Sequence, residues 1–257
     1  LPHVLVFDSG IGGTSVLSHL KLAMPMVQYT YVMDNELLPY GLQSQETIKS
    51  RLTALLSWIE QSDKQVDVIV IACNTASTYA LETARQHTPI PIVGVVPAIK
   101  PAAETSQKKH IGLLATPATS KNTYTANLIS AFASECQVDI YHSTALVNIA
   151  EHYYWCKELQ VELLQAELKR LNICNELDRL VLGCTHFPII KSHLQDYFTH
   201  RVELVDSGAA IARRVQHLLS SKLIKCKSLE ARLVHWYATA SDKFEAAVGV
   251  KPLKLES

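Results

Sequence analysis

The chain has 257 residues, 48% of them hydrophobic, with 24 Lys and Arg balanced by 24 Asp and Glu. That length allows a real core in one large domain or two small ones, while zero formal charge and the lack of a long basic run exclude a general electrostatic grip on nucleic acid or anionic lipid. No apolar run approaches the roughly 20 residues that cross a bilayer, and the opening LPHVLVFDSG lacks the parts of a secretory signal, so a cytoplasmic protein with no membrane or nucleic-acid partner is expected.

The first element is the apolar run His3–Phe7, read as a strand that ends in Asp8-Ser9-Gly10. Helical periodicity follows over Thr14–Ala23, then a strand over Gln28–Met33. Ser44–Glu60 carries apolar residues at Ile48, Leu52, Leu55, Leu56 and Ile59, the stripe of an amphipathic helix. Val66–Ala72 is a strand ending at Cys73, and Thr78–His87 is helical, with NTASTYALETA already reading as a helix start. Ile92–Val95 is a strand, after which VPAIKP breaks the pattern with Pro97 and Pro101. Further strands are expected at Ile111–Ala115, Val138–His142, Leu180–Gly183, Val202–Val205 and Leu233–Ala238. Between them the helices are Thr123–Cys136, Lys157–Leu171, Lys191–Tyr197 and Ala209–Leu219. Strands without polar alternation fit burial on both faces, and their alternation with helices predicts an α/β, doubly wound architecture with mostly parallel sheets.

The chain also repeats itself. VLVFDSGIGGTSVL near residue 8 and IGLLATPATSKNTY near residue 116 are each a strand, a small-polar turn and a helix. VIVIACNTAST and RLVLGCTHFP are strands ending in Cys73 and Cys184. Asp8 to Cys73 is 65 residues and Thr116 to Cys184 is 68. Two related, pseudo-symmetric domains that face each other are expected, with the crossover near Pro97–Pro101.

The six cysteines, Cys73, Cys136, Cys156, Cys174, Cys184 and Cys226, show no CxxC spacing. Thiols rather than a disulfide framework are expected. A lone buried cysteine at a strand end is ordinarily core. Two of them in matched strand ends, flanked by polar residues, point further. Ligands in open α/β sheets bind beyond the carboxyl ends of strands, so Cys73 and Cys184 would line opposite walls of one interdomain cleft. Racemisation needs that arrangement: one group removes a proton from one face of a carbon and another delivers a proton to the opposite face. A helix start after Cys73 supplies N–H donors and a positive dipole end that favour a thiolate. Asp8 suits an acid/base or orienting partner for Cys73, and His186 suits the same task for Cys184.

Plainer readings exist. Asp8 could cap the next helix. Thr116 and Thr119 could do the same, and His186 could be structural. GIGG at residues 10–13 matches neither GxGxxG nor the P-loop pattern. A Cys/His zinc site is disfavoured because CxxC and HxxxH spacings are absent, so no metal ligand is expected.

FDSGIGG, DNELLPYG, ACNTAST, VGVVPAIKPA, GLLATPAT, LVLGCTHFP and LVDSGAAIARR resemble the glutamate racemases, in order and at family-like spacing, from residue 3 to about 214. The resemblance implies a pyridoxal-phosphate-independent enzyme, with no cofactor, that interconverts L- and D-glutamate for peptidoglycan synthesis. It implies an active site between two domains, residues 1–97 with 207–257 and residues 98–206. By that resemblance Cys73 takes the α-proton from D-glutamate and Cys184 takes it from L-glutamate, with Asp8 and His186 assisting. Ser9, Tyr40, Gly41, Asn74, Thr75, Thr116, Thr119 and Thr185 correspond to substrate contacts, as do Asp8 and His186. Glu151, in LVNIAE, corresponds to a carboxylate near the substrate ammonium. Two departures from the common pattern, the leucine before Pro-Tyr-Gly and Pro117-Ala118, touch none of the catalytic groups. The sequence is most similar to a subclass activated by UDP-N-acetylmuramoyl-L-alanine, but that subclass has a longer N-terminus, which leaves activation open. A homodimer is one assembly the resemblance allows. Aspartate racemase, or another member of the wider superfamily, remains a second reading, and a thiol-redox or interaction protein a third.

Overall fold

The computed structural model describes residues 1–199, 201–224, 234–240 and 249–255. Cys226 and Leu233 lie outside the described residues. The chain divides into two compact units, Leu1–Val95 with Gly208–Ser257, and Val96–Ser207.

The first unit is built on a parallel sheet. Its strands are β1 (His3–Asp8), β2 (Gln28–Met33), β3 (Val68–Ile71), β4 (Ile92–Gly94), β9 (Val234–Ala238) and β10 (Val250–Pro252), in the order β10-β9-β2-β1-β3-β4. β1 and β3 are buried along their whole lengths, which explains their unbroken apolar runs. Helices α1 (Thr14–Ala23), α2 (Gln45–Gln61), α3 (Asn74–His87) and α10 (Gly208–Leu223) flank the sheet. α2 starts where Ser44 accepts a hydrogen bond from the Thr47 backbone N–H. It buries Ile48, Leu52, Leu55, Leu56 and Ile59, the residues of its predicted stripe.

The second unit holds β5 (His110–Ala115), β6 (Gln137–His142), β7 (Arg179–Gly183) and β8 (Glu203–Val205), all parallel, in the order β6-β5-β7-β8. Its helices are α4 (Ile99–Thr105), α5 (Pro117–Ser120), α6 (Thr123–Phe132), α7 (Ala145–Cys156), α8 (Val161–Leu171) and α9 (Lys191–Tyr197). Numbered from each unit's first strand, both sheets run second, first, third, fourth, if β9 and β10 are set aside as additions at one edge. The repeat in the sequence is therefore a repeat of topology.

Several expectations need correction. α3 begins at Asn74, four residues before the expected Thr78. The Lys157–Leu171 helix starts only at Val161, because Lys157 adopts a left-handed conformation and closes the preceding helix α7, which periodicity had not revealed. The helix from Thr123 stops at Phe132, where Ala133 leaves helical geometry. α4, α5 and β10 were not anticipated. β6 is an edge strand and none of its six residues is fully buried, so it does not share the double burial expected of it. No helix among the described residues is long and apolar enough to cross a membrane.

Candidate active site

In the first unit the carboxyl ends of β1 and β3 carry the polar residues. Asp8 is fully buried and accepts a hydrogen bond from the Gly10 backbone N–H at 2.8 Å, closing the turn after β1. It does not cap α1, whose N-cap is Gly13. Gly13 has a packing role, since a Cβ there would come within 2.8 Å of both Ala72 Cβ and the Tyr31 hydroxyl. The glycine lets the turn pack closely against Ala72 and Tyr31 and needs no phosphate to explain it.

Cys73 is the N-cap of α3, with extended geometry, and is 6% exposed. The first turn of a helix leaves backbone N–H groups without intrahelical partners. Cys73 thus lies at the positive end of a 14-residue helix, where a thiolate is favoured. Ser9 Oγ is 3.9 Å from Cys73 Sγ. Asn74 and Thr75 follow in the same first turn, both buried. Asn74 Nδ2 is buried with no hydrogen-bond partner among the described residues. A bare amide donor costs free energy unless a ligand takes it up, and this one belongs to the residue that follows Cys73.

Tyr40 and Gly41 are buried in a 3-10 turn, Tyr40–Leu42. The Tyr40 hydroxyl donates to Asp34 Oδ2 at 2.5 Å, and its ring packs 6.3 Å from that of Phe7. Burial first, then the Asp34 charge and hydrogen bond, push the Tyr40 phenol well above its ordinary range, with a smaller contribution from Cys73. Tyr40 therefore stays neutral. Arg51 grips both oxygens of Asp34, donating from Nη2 to Oδ1 at 2.6 Å and from Nε to Oδ2 at 2.8 Å. Asp34 and Arg51 were not among the expected site residues. Arg51 is 17 residues from Asp34 on a helix whose periodicity reports only its apolar face.

In the second unit, Thr116 follows β5 and caps α5 by accepting the Thr119 backbone N–H at 3.4 Å. The two threonine hydroxyls are 3.2 Å apart. The capping role is thus real, and it also fixes two buried hydroxyls at a strand end. Cys184, Thr185 and His186 follow β7 and are 7%, 4% and 3% exposed. Pro188 lies in a 3-10 turn, Phe187–Ile190, which keeps this segment from starting an α-helix at once, unlike the segment after Cys73.

Cys184 Sγ lies 3.7 Å from His186 Nδ1, and His186 Nε2 lies 2.8 Å from Glu151 Oε1. Glu151 comes from α7, and its other oxygen accepts from Trp155 Nε1 at 3.2 Å. Burial alone lowers the His186 pKa. The hydrogen bonds and charges of Cys184 and Glu151 outweigh it, so the imidazole stays protonated well above its ordinary range. The chain Glu151, His186, Cys184 resembles an acid–base relay whose cation is poised against a sulfur.

Each expected residue therefore has a defined place. Asp8, Ser9, Tyr40, Gly41, Cys73, Asn74 and Thr75 belong to the first unit. Thr116, Thr119, Glu151, Cys184, Thr185 and His186 belong to the second.

Known proteins share this arrangement of sequence. The Asp/Glu/Hydantoin racemase family model matches residues 15–215. The glutamate racemase of Shewanella frigidimarina is 46% identical over 89% of this chain and 87% of its own length. That of Vibrio cholerae is 44% identical over 97% and 92%. A crystal structure of Escherichia coli glutamate racemase, in complex with L-glutamate and the activator UDP-MurNAc-Ala, aligns with a TM-score of 0.84 at 40% identity, covering 93% of this chain and 89% of that one. With a family model spanning most of its length and relatives this similar, the chain belongs to the glutamate racemases of the Asp/Glu/Hydantoin racemase family.

Proposed function

We propose that the protein interconverts L- and D-glutamate by a cofactor-independent, two-base mechanism in which Cys73 and Cys184 work on opposite faces of the α-carbon. The observation that carries this reading is the matched placement of the two thiols. Each follows the third strand of its unit's repeated sheet order, and each has its own polar support.

In the direction from D-glutamate, the Cys73 thiolate removes the α-proton and Cys184 delivers one from the other side. The reverse direction exchanges their roles. Asp8 and Ser9 support Cys73, and the protonated His186, held by Glu151, supports Cys184. With no imine to accept charge, the carbanion-like state must be stabilised by preorganised donors and excluded water. Asn74, Thr75, Thr116, Thr119 and Thr185 supply neutral donors for a substrate carboxylate that gains charge. Tyr40, kept neutral, and the Gly41 backbone complete the contacts on the first unit.

The product D-glutamate would serve peptidoglycan synthesis in the cytoplasm. Activation by UDP-N-acetylmuramoyl-L-alanine is a property to assay directly, because a 40% identical relative is known in complex with that nucleotide. A homodimer is the assembly to test by light scattering. The experiment for the activity is circular dichroism of L- and of D-glutamate incubated with the protein, with no cofactor and with or without the nucleotide. Decay of either signal toward zero supports the reading. Activity on aspartate with none on glutamate would favour an aspartate racemase.

A further inference from the structure

The second unit carries a cluster of potential metal ligands at the end of its sheet away from Cys184. His110 begins β5, Asp139 lies early in β6, and Cys174 is in the segment between α8 and β7. One ligand atom from each, an imidazole nitrogen, a carboxylate oxygen and a thiol sulfur, lies within 4.8 Å of the others. The Thr116 and Cys184 motifs follow the carboxyl ends of these parallel strands, whereas His110 sits at an amino end.

The register explains why the groups meet. Gly112 pairs with Asp139 in the parallel ladder, so the two share a face, and His110 two residues earlier shares it as well. Gly112 itself adds no side chain to that face. A Cβ there would meet the Leu180 and Leu177 side chains at 2.7 and 3.0 Å and the Tyr141 ring at 3.3 Å. His110 and Asp139 already touch, with Nε2 and Oδ2 at 2.8 Å.

We propose that His110, Asp139 and Cys174 form a three-ligand site for a divalent cation of borderline softness, Zn2+ in particular, that clips β5, β6 and the α8–β7 segment together. Nitrogen, oxygen and sulfur together match the ligand preferences of zinc. Zinc bonds of about 2.0–2.3 Å place tetrahedral ligands roughly 3.3–3.8 Å apart. Small side-chain rotations close that gap, with the metal replacing the His110–Asp139 hydrogen bond. Water would take the fourth position. On binding, the thiol of Cys174 loses its proton to solvent and its sulfur bonds the metal.

Supporting contacts of the kind that orient metal ligands are present. The Tyr141 hydroxyl is 3.3 Å from Asp139 Oδ2 and accepts the Cys174 backbone N–H at 2.9 Å, so one group orients two ligands. The Glu176 N–H donates to Cys174 Sγ at 3.5 Å, which helps fix the position of the sulfur. The His110 side chain is 12% exposed and that of Asp139 28%, so the site is sheltered yet open to an incoming ion. Sequence spacing hides it, because the ligands come from three separate segments with no CxxC or HxxxH.

The test is a Co2+ and Zn2+ titration of the whole chain in a phosphine reductant. It is run in the wild type and in a Cys73→Ala/Cys184→Ala background, so that the two strand-end thiols cannot supply the signal and the result does not depend on the racemase reading, while loss of the band in Cys174→Ala excludes the remaining cysteines. The expected result is one equivalent of Co2+ with tetrahedral visible bands and a near-ultraviolet thiolate charge-transfer band. Cys174→Ala should abolish that band. Cys174→Ala and His110→Gln should each weaken binding more than about 100-fold, beyond the loss expected for an outer partner, and Tyr141→Phe should weaken it about tenfold. Zn2+ should raise the unfolding midpoint of the background protein but not of His110→Gln. Should Cys174→Ala fail to fold, His110→Gln decides alone. Absence of stoichiometric binding, or binding that survives these substitutions, would overturn the site.

Discussion

His186 is bridged between two groups of opposite character: its Nε2 meets the Glu151 carboxylate at 2.8 Å and its Nδ1 meets the Cys184 sulfur at 3.7 Å. The carboxylate comes from a helix and the sulfur from a strand end 33 residues later in sequence, and both favour the charged imidazolium.

Glu151→Gln should therefore lower the His186 pKa, and an NMR titration of the imidazole reads this directly. The native pKa lies above the ordinary value of about 6.5. Its stabilising contribution is accordingly complete below that pH and fades as pH rises through the folded-state value. A hydrogen bond to a charged group contributes about 1.5–3 kcal/mol. Glu151→Gln should cost on that order at pH 6 and cut kcat/KM from L-glutamate by about 10–100-fold. A wild-type His186 that titrates at or below 6.5 would contradict the bridging role.

Asn74 should behave as a ligand-binding residue with little structural value. Its amide donor is buried and unpartnered among the described residues. Asn74→Ala should leave the denaturation midpoint nearly unchanged, since it removes a donor that the free protein leaves unused. It should raise the KM for glutamate about tenfold, the equivalent of one lost hydrogen bond. Large destabilisation with an unaltered KM would assign the residue to the scaffold instead.

Arg51→Met tests the support beneath Tyr40. Asp34 is completely buried, and Arg51 is its ion-pair partner, with 12% of the Arg51 side chain exposed. Removing one member of such a pair strands a buried charge and costs about 3–5 kcal/mol. Arg51 Nη1 also donates to the Leu255 carbonyl at 2.8 Å, so the variant should loosen the tail as well. Urea denaturation gives the cost. Arg51→Lys should recover only part, because the two-point grip needs a guanidinium. A change under about 0.5 kcal/mol for Arg51→Met, as for an ordinary surface substitution, would show that Asp34 does not depend on it.

Gly13→Ala adds a methyl group where Ala72 and Tyr31 leave no room. Overpacking of this kind costs about 1–3 kcal/mol. The displaced turn carries Asp8 and Ser9, so activity should fall with stability. Thermal unfolding checks the first effect, and an unchanged midpoint would show that the turn yields at no cost.

Much of this was legible in the sequence for physical reasons. Buried parallel strands such as Val68–Ile71 are apolar throughout, so β3 announces itself. The similar spacing of Asp8–Cys73 and Thr116–Cys184 reflects a repeated strand order. Other features were hidden. α7 mixes Tyr153, Tyr154 and Trp155 with polar residues at its half-exposed end, which blurs its helical period. The left-handed Lys157 that separates it from α8 has no glycine to mark it. The Asp34–Arg51 pair, the Glu151–His186 bridge and the His110–Asp139–Cys174 cluster join residues from different elements. No local periodicity encodes such meetings.

The most direct test of the two-base account is to incubate Cys73→Ala and Cys184→Ala separately with each enantiomer of glutamate in D2O, and to follow α-deuterium by NMR together with optical rotation. Both variants should lose racemisation. Cys184→Ala should retain exchange only into D-glutamate, and Cys73→Ala only into L-glutamate, because each surviving thiol reaches one face. Near-native racemisation by either variant, or equal exchange into both enantiomers, would contradict it.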